Sequence, residues 1–220
     1  MQTLTPEQID ALYIFTQKKG VRYYEVQMEL VDHLASAIES EWENNPETSF
    51  DQALALVYSR FGIFGFDEIE GKQAYALYKL QLKCWARTFL SFFNVPLAMF
   101  TVLVFLLIRE TINLVGFKAF YLPHSGVLMV AGFIYMVFLY RKRKQKQQKE
   151  LLLLNFGQAF SLAFNLSWYI PFFILRHLYF PGSWVPALVY TALTVLMLSF
   201  IRTCEAVQKQ AEKLYPAAFV

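Results

Sequence analysis

Residues 88–108 read TFLSFFNVPLAMFTVLVFLLI, with no Asp, Glu, Lys or Arg among them. A helix needs about 20 mostly apolar residues to cross the hydrocarbon core of a bilayer, and this run supplies them. Three more apolar stretches follow, at 126–140, 151–175 and 184–201. Residues 151–175 suffice alone; the other two do so once the uncharged residues before them are counted. The reading is an all-α chain: a small cytoplasmic helical domain followed by a four-helix transmembrane bundle, with spans at about 88–109, 122–140, 151–175 and 184–202. The apolar stretches carry no charge between their ends, which argues against an ion-coupled pump.

The net charge of +3 hides a division. Residues 1–70 carry 13 acidic against four basic side chains, net −9, whereas residues 71–220 carry 16 basic against four acidic, net +12. Two modules in different surroundings are expected. An acidic head spans 1–66, an amphipathic connector 67–87, the bundle 88–202 and a cytoplasmic tail 203–220. Cys84 and Cys204 are isolated and lack framework or zinc spacing. No GxxxxGKS, HExxH, CxxC or GxSxG motif occurs. The expectation is therefore no metal, no cofactor, no catalytic residue and no direct nucleic-acid contact.

The head reads as three short helices and the start of a fourth. Thr5-Pro6-Glu7-Gln8 is a start signal: Thr5 caps, Pro6 suits the first helical position, and Gln8 bonds back. Ile9, Leu12, Tyr13 and Thr16 follow at helical spacing, and Gly20 is a stop. Val26, Leu30, Leu34, Ala37 and Ile38 stripe the second helix. Ser49 and Gln52 form another capping box before Phe50, Ala53, Leu54, Val57 and Phe61, and Gly62 closes that helix. Phe64 and Phe66 are candidates to seal this small core or to seat it on the bundle. In the connector, Ile69, Ala76, Leu77, Leu80 and Cys84 mark the expected apolar face.

Residues 141–150 read RKRKQKQQKE. By the positive-inside rule this loop is cytoplasmic. Lys79, Lys83 and Arg87 before the first span agree, as do Arg202, Lys209 and Lys213 after the last. The opposite side carries only Arg109, Lys118 and Arg176. Both termini are therefore expected inside. Arg141, Lys142, Arg143, Lys144, Lys146 and Lys149 suit anionic lipid headgroups. Tyr121, Tyr169, Tyr179 and Trp184 fall where an outer aromatic belt belongs. Residues 1–30 hold no apolar leader segment, so the head is expected to stay on the side where it is made.

Asn155, Gln158, Ser161 and Asn165 recur in steps of three and four, a polar stripe along one side of the third span. Amides facing lipid are costly, so this side should face other helices. It serves either as interhelical glue or as the wall of a cavity for a headgroup or small solute, and Asn94 could join it. Pro96 withholds an N–H from the carbonyl of Phe92, and Pro171 from that of Ser167; both predict kinks. In the head, Glu29 and His33 lie four residues apart with Asp32 beside His33, a hydrogen-bonded pair or a partner contact. A metal site there needs another ligand. His124 and His177 fall in expected outward loops without ligand spacing.

The text from Tyr24 through His33 to Leu34, then Ile38-Glu39, Ser49 to Ala53, and Arg60-Phe61-Gly62 resembles the HAAS or permease-prefix domain. The resemblance rests on an E-x-x-D-H turn, a following acidic position, an x-x-A helix and a terminal F-G. It covers about residues 21–65 and implies a cytoplasmic interaction domain ahead of membrane helices in a bacterial cytoplasmic membrane. It implies no catalytic residues; Glu29, Asp32 and His33 carry over as pattern positions. The function expected is a non-enzymatic regulatory or scaffold role, in which the head binds a cytoplasmic protein or folds back on the basic loop. The alternative is an accessory subunit or a small carrier of a solute or lipid.

Overall fold

A computed structural model describes residues 3–62, 65–170 and 182–219. Regular structure among them is helical: α1 Pro6–Lys18, α2 Tyr24–Asn44, α3 Phe50–Ser59, α4 Asp67–Ser91, α5 Leu97–Val115, α6 Phe117–Lys146, α7 Gly157–Ile170 and α8 Trp184–Leu214. Short 3-10 turns occupy Leu152–Leu154 and Pro216–Ala218. The chain divides into two compact units, Met1–Leu77 with Gln148–Leu152, and Tyr78–Gln147 with Leu153–Val220. The division falls inside α4, so the head extends past residue 66 and takes a second, distant piece of chain.

Local signals start and stop the head helices as their chemistry requires. Thr5 Oγ1 accepts from the Gln8 N–H at 3.3 Å while Gln8 Oε1 accepts from the Thr5 N–H at 2.9 Å. Ser49 and Gln52 repeat this reciprocal cap at 3.4 and 3.3 Å. After α1 and α3, Gly20 and Gly62 take φ of +94° and +73°, a conformation that side chains with a Cβ resist. Leu12, Val26, Leu30, Leu34, Ile38, Ala53 and Val57 then bury one another, joined by Val31, Trp42 and Phe66. The Trp42 indole N–H donates to the Thr48 carbonyl at 2.9 Å and holds the turn between α2 and α3.

In the second unit the expected first span is not one helix. The helix α4 ends at Ser91 and α5 begins at Leu97, with Pro96 as its N-cap residue. Pro96 thus sits at a break instead of a kink. The Phe92 carbonyl accepts from Thr101 Oγ1 at 2.9 Å. The apolar helix that remains, Leu97–Val115, now includes Arg109 and Glu110 near its end. Gly116, at φ +80°, is the single residue joining α5 to α6.

Other boundaries shift for similar reasons. The helix α6 continues through Arg141–Lys146, so most of the expected basic loop is helical. Residues 151–156 precede α7, which starts at Gly157, so Leu151–Leu154 do not open a membrane helix. The expected tail from residue 203 continues α8 to Leu214. Phe64, Pro171, Arg176, His177, Tyr179 and the end of the expected third span lie outside the described residues.

Among the described residues three helices, α5, α6 and α8, are long and apolar enough to cross a membrane. Half of the apolar window of α8 is buried, against 17% in α5 and α6, so α8 is the central helix of its unit. The outer faces of α5 and α6 are apolar: Met99, Leu103 and Leu114 on one, Val127, Val130 and Ile134 on the other, are all exposed. Such a surface is unfavourable in water and at home in acyl chains.

The connector keeps its expected face only in part: Ile69 and Leu77 pack against the head core, but the face does not continue along the helix. Gln81 and Trp85 are the buried side chains of α4, while Leu80 is exposed. Gln81 Nε2 donates to the carbonyls of Leu153 and Asn155 at 2.9 and 3.3 Å. The Trp85 N–H donates to Ser199 Oγ at 2.9 Å and its ring meets Phe200 edge-on. These polar bonds let otherwise costly groups be buried, and apolar periodicity alone does not reveal them.

Candidate functional site

The structure places Glu29, Asp32 and His33 on the exposed face of α2. His33 Nε2 stands 4.0 Å from Glu29 Oε1, with both side chains largely in solvent. The other Glu29 oxygen accepts from the Gln73 side chain of α4. The carboxylate is thus shared with α4 instead of being held for the imidazole. Among the described residues no group of three His, Cys, Asp or Glu side chains is placed to hold a metal ion.

Beside His33 lies an open recess of about 360 Å3, lined by Ala37, Val57, Arg60, Phe61 and Ile69 as well as His33. It forms where α2, the end of α3 and the start of α4 converge. Its lining is largely apolar, and Arg60 is among the residues that form it. Arg60 is fixed by Glu41 at 2.6 Å, and Glu41 also accepts from Asn45 at 2.9 Å. Arg60, then Asn45, hydrogen-bonds the charged Glu41 and holds its carboxyl below the usual range. The recess adds Arg60 and Phe61 to the site residues expected from sequence. Phe61 reads as core by its periodicity, and no sequence signal separates a core Phe from one lining a recess.

A second feature is the return of the chain to the head. The Glu150 carbonyl accepts from the Tyr24 N–H at 2.8 Å, and its carboxylate meets Arg22 at 3.0 Å. Lys149 Nζ lies 3.9 Å from the centre of the Tyr24 ring. Leu152 is buried in the head core. Within this unit the head offers Arg22 and an aromatic ring, and the returning segment offers its glutamate, one lysine and a leucine.

Of the other basic residues, Arg141, Lys142, Lys144 and Lys146 are exposed on the last turns of α6. Cations there complement the negative end of the helix dipole. Arg143 departs from the set: its guanidinium donates to the Leu154 carbonyl and lies 5.1 Å over the Phe156 ring. It serves packing within the second unit and is not available as part of a solvated cluster.

The polar stripe is brought to the surface. Asn155 precedes α7 and its side chain accepts from the Gly157 N–H at 3.2 Å. Gln158, Ser161 and Asn165 are exposed, and Asn165 bonds back to the Ser161 carbonyl at 2.6 Å. The side of α7 that is buried carries Ala159 and Ala163. Gln158, Ser161 and Asn165 thus share the exposed side of α7, opposite these alanines. Asn94 is exposed in the break before α5.

His124 lies in α6 and not in a loop. Its Nε2 is 3.1 Å from Thr194 Oγ1, its ring stacks on Phe120 at 4.8 Å, and Tyr190 meets it edge-on at 5.2 Å. This is an interhelical packing cluster between α6 and α8. Both cysteines are free thiols, Cys204 buried and Cys84 partly so. No family model, curated protein or solved structure matches the chain.

Proposed function

We propose that this is a membrane-anchored regulatory or scaffold protein whose acidic helical head binds a cytoplasmic protein partner. The observation that carries the reading is the recess beside His33 on a head with its own closed core. A largely apolar lining that includes His33 and Arg60 suits a partner that inserts an apolar side chain and presents a carboxylate. The resemblance of residues 21–65 to an interaction domain supports the same reading. The exposed cations at the end of α6 support a cytoplasmic placement of that end in a bacterial cytoplasmic membrane, against anionic headgroups. We assign no reaction to the chain.

A photocrosslinking residue placed at His33 in living cells tests this. The reading expects one discrete protein adduct from position 33 and none from Asp10, an exposed acidic position on α1. Equal adducts from both positions, or none from position 33, would remove it.

A second reading, an accessory subunit of a membrane transport assembly, is favoured by α7. Exposed Gln158, Ser161 and Asn165 on an apolar helix call for a polar neighbour if α7 lies in hydrocarbon. Leucine at Gln158 and Asn165 would then abolish co-purification of that neighbour while leaving the head adduct intact.

A further inference from the structure

A recess of about 510 Å3 opens sideways between α5 and α8. Phe93, Thr101 and Phe105 form one wall, and Leu188, Thr191 and Val195 the other. Its size falls within the ~300–1,000 Å3 of cavities that hold small ligands. Two hydroxyls reach it, and both are already engaged. Thr101 Oγ1 donates to the carbonyls of Phe92 and Leu97 at 2.9 and 3.1 Å. Thr191 Oγ1 donates to the Ala187 carbonyl at 2.7 Å. A polar solute entering here would give up its water bonds without replacement. A hydrocarbon chain would give up nothing.

The surroundings name the occupant. Apart from Phe93, which precedes α5, both walls belong to helices long and apolar enough to span a membrane, and the rim residues Phe93, Val102 and Leu188 are exposed. The medium at the open side is therefore acyl chain. One end of the groove is different. Arg109 follows Phe105 by one turn, and Trp184 precedes Leu188 by one turn. The Arg109 guanidinium lies 4.2 Å over the Trp184 ring, which in turn rests on Phe105 at 5.6 Å. Glu110 engages Arg109 Nη1 at 3.0 Å, while the Nε–H is buried with no acceptor among the described residues. Glu110 takes Nη1 alone, which leaves Nη2 of this guanidinium for a second anionic oxygen in the last turns of a membrane helix, and a phosphate supplies one.

We propose that the groove between α5 and α8 holds one acyl chain of an anionic membrane phospholipid, with Arg109 binding its phosphate. The site is independent of the partner surface on the head. An apolar slot ending at a cation reproduces the order of groups along such a lipid, tail and then phosphate. It is also distinct from the exposed cations on α6, which face headgroups without a slot beside them.

The full chain is reconstituted in phosphatidylcholine vesicles carrying phosphatidylglycerol with a photoreactive diazirine on its acyl chain, and the adducts are mapped by mass spectrometry. Adducts should concentrate on Val102, Leu188 and Ala192. Filling the slot with Ala192→Trp, or separately with Val102→Trp, should lower them about tenfold, which corresponds to ~1.4 kcal/mol of lost affinity. Adducts on Leu114 and Val130, exposed elsewhere on α5 and α6, should persist and show that each variant is folded and inserted. Arg109→Gln should lower labelling by the phosphatidylglycerol probe to that of a phosphatidylcholine probe. Adducts spread evenly over the exposed apolar faces and indifferent to both tryptophans would overturn the site. Unchanged preference for phosphatidylglycerol in Arg109→Gln would overturn the phosphate contact.

Discussion

Arg22 and Glu150 stand 128 positions apart in the chain and meet at 3.0 Å in the head unit. Both side chains are more than half exposed, so the ion pair itself is worth only about 0–1 kcal/mol. The stronger element lies two residues on, where Leu152 is buried among Leu12, Leu30 and Ile38. The head therefore incorporates a piece of chain that lies beyond α6.

Removing these contacts should reveal their unequal weight. Leu152→Ala should destabilise the head by about 2–5 kcal/mol, the usual cost of emptying a core leucine site. Arg22→Ala should cost less than about 1 kcal/mol. Hydrogen exchange at the Tyr24 amide, which donates to the Glu150 carbonyl at 2.8 Å, reads both variants. Leu152→Ala should speed that exchange far more than Arg22→Ala; equal protection in both would remove Leu152 from the head core.

Trp85 gives a test of the second unit. Its indole N–H bonds Ser199 Oγ, and its ring packs on Phe200. Trp85→Phe keeps most of the ring area and should cost about 1–3 kcal/mol for the acceptors left unpaired. Trp85→Ala should cost about 3–5 kcal/mol. Thermal unfolding in detergent should rank wild type above phenylalanine above alanine.

Two glutamates of opposite behaviour contribute to the pH dependence of the head. Arg60 and Asn45 hold the Glu41 carboxyl below its ordinary range. Its stabilising contribution is therefore full above the ordinary glutamate value of about 4.3 and is lost as pH falls through the lower folded value. Burial first, and Asp67 second, push Glu70 upward. Its ionised form works against folding, so stability from this group increases as pH drops through its raised value. Glu41→Gln should lower stability at neutral pH and flatten the acid limb, whereas Glu70→Gln should raise neutral stability. Melting temperatures recorded from about pH 3 to 7 check both signs. An unchanged acid limb in Glu41→Gln would show that its carboxylate is not coupled to folding.

Gly132 marks a close approach of α6 to α8. A Cβ built there would lie 2.5 Å from Met197 Cε. The clashing atom is the end of a flexible side chain, so Gly132→Ala should be tolerated with a cost near 1 kcal/mol. Gly132→Leu exceeds what Met197 can yield and should cost more than about 3 kcal/mol or prevent assembly of the unit. The two variants are compared by their melting in detergent, and similar stability would mean that the helices are not in close contact there.

The membrane placement is checked by labelling single cysteines in a chain whose own two are replaced. A cysteine at Gln145 should react only with reagent that reaches the cytoplasm, and one at Lys118 only with reagent outside. Labelling of position 145 from outside would reverse the orientation, and with it the location of the head.

Much of the architecture is legible in the residue order because it depends on neighbours. Reciprocal caps at Thr5/Gln8 and Ser49/Gln52 and stops at Gly20 and Gly62 are local chemistry, and the structure has them where that chemistry puts them. The apolar character of α5, α6 and α8 is likewise a sum over consecutive side chains. Of the candidate site, Glu29, Asp32 and His33 are legible as an exposed turn of α2, whereas Arg60 and Phe61 join them only when α2, α3 and α4 converge.

Composition cannot say which surface an apolar or charged residue will meet. Leu152 belongs by hydropathy to a membrane stretch, yet the head core has a site for it. Arg143 belongs by charge to a solvated cluster, yet a carbonyl and the Phe156 ring take it. Gln158 and Asn165 belong by cost to an interior, yet α7 buries its alanines instead. In each case the residue order states what a side chain prefers, and the tertiary structure decides which preferences are met, because burial is a contest among segments far apart in the chain for a limited interior.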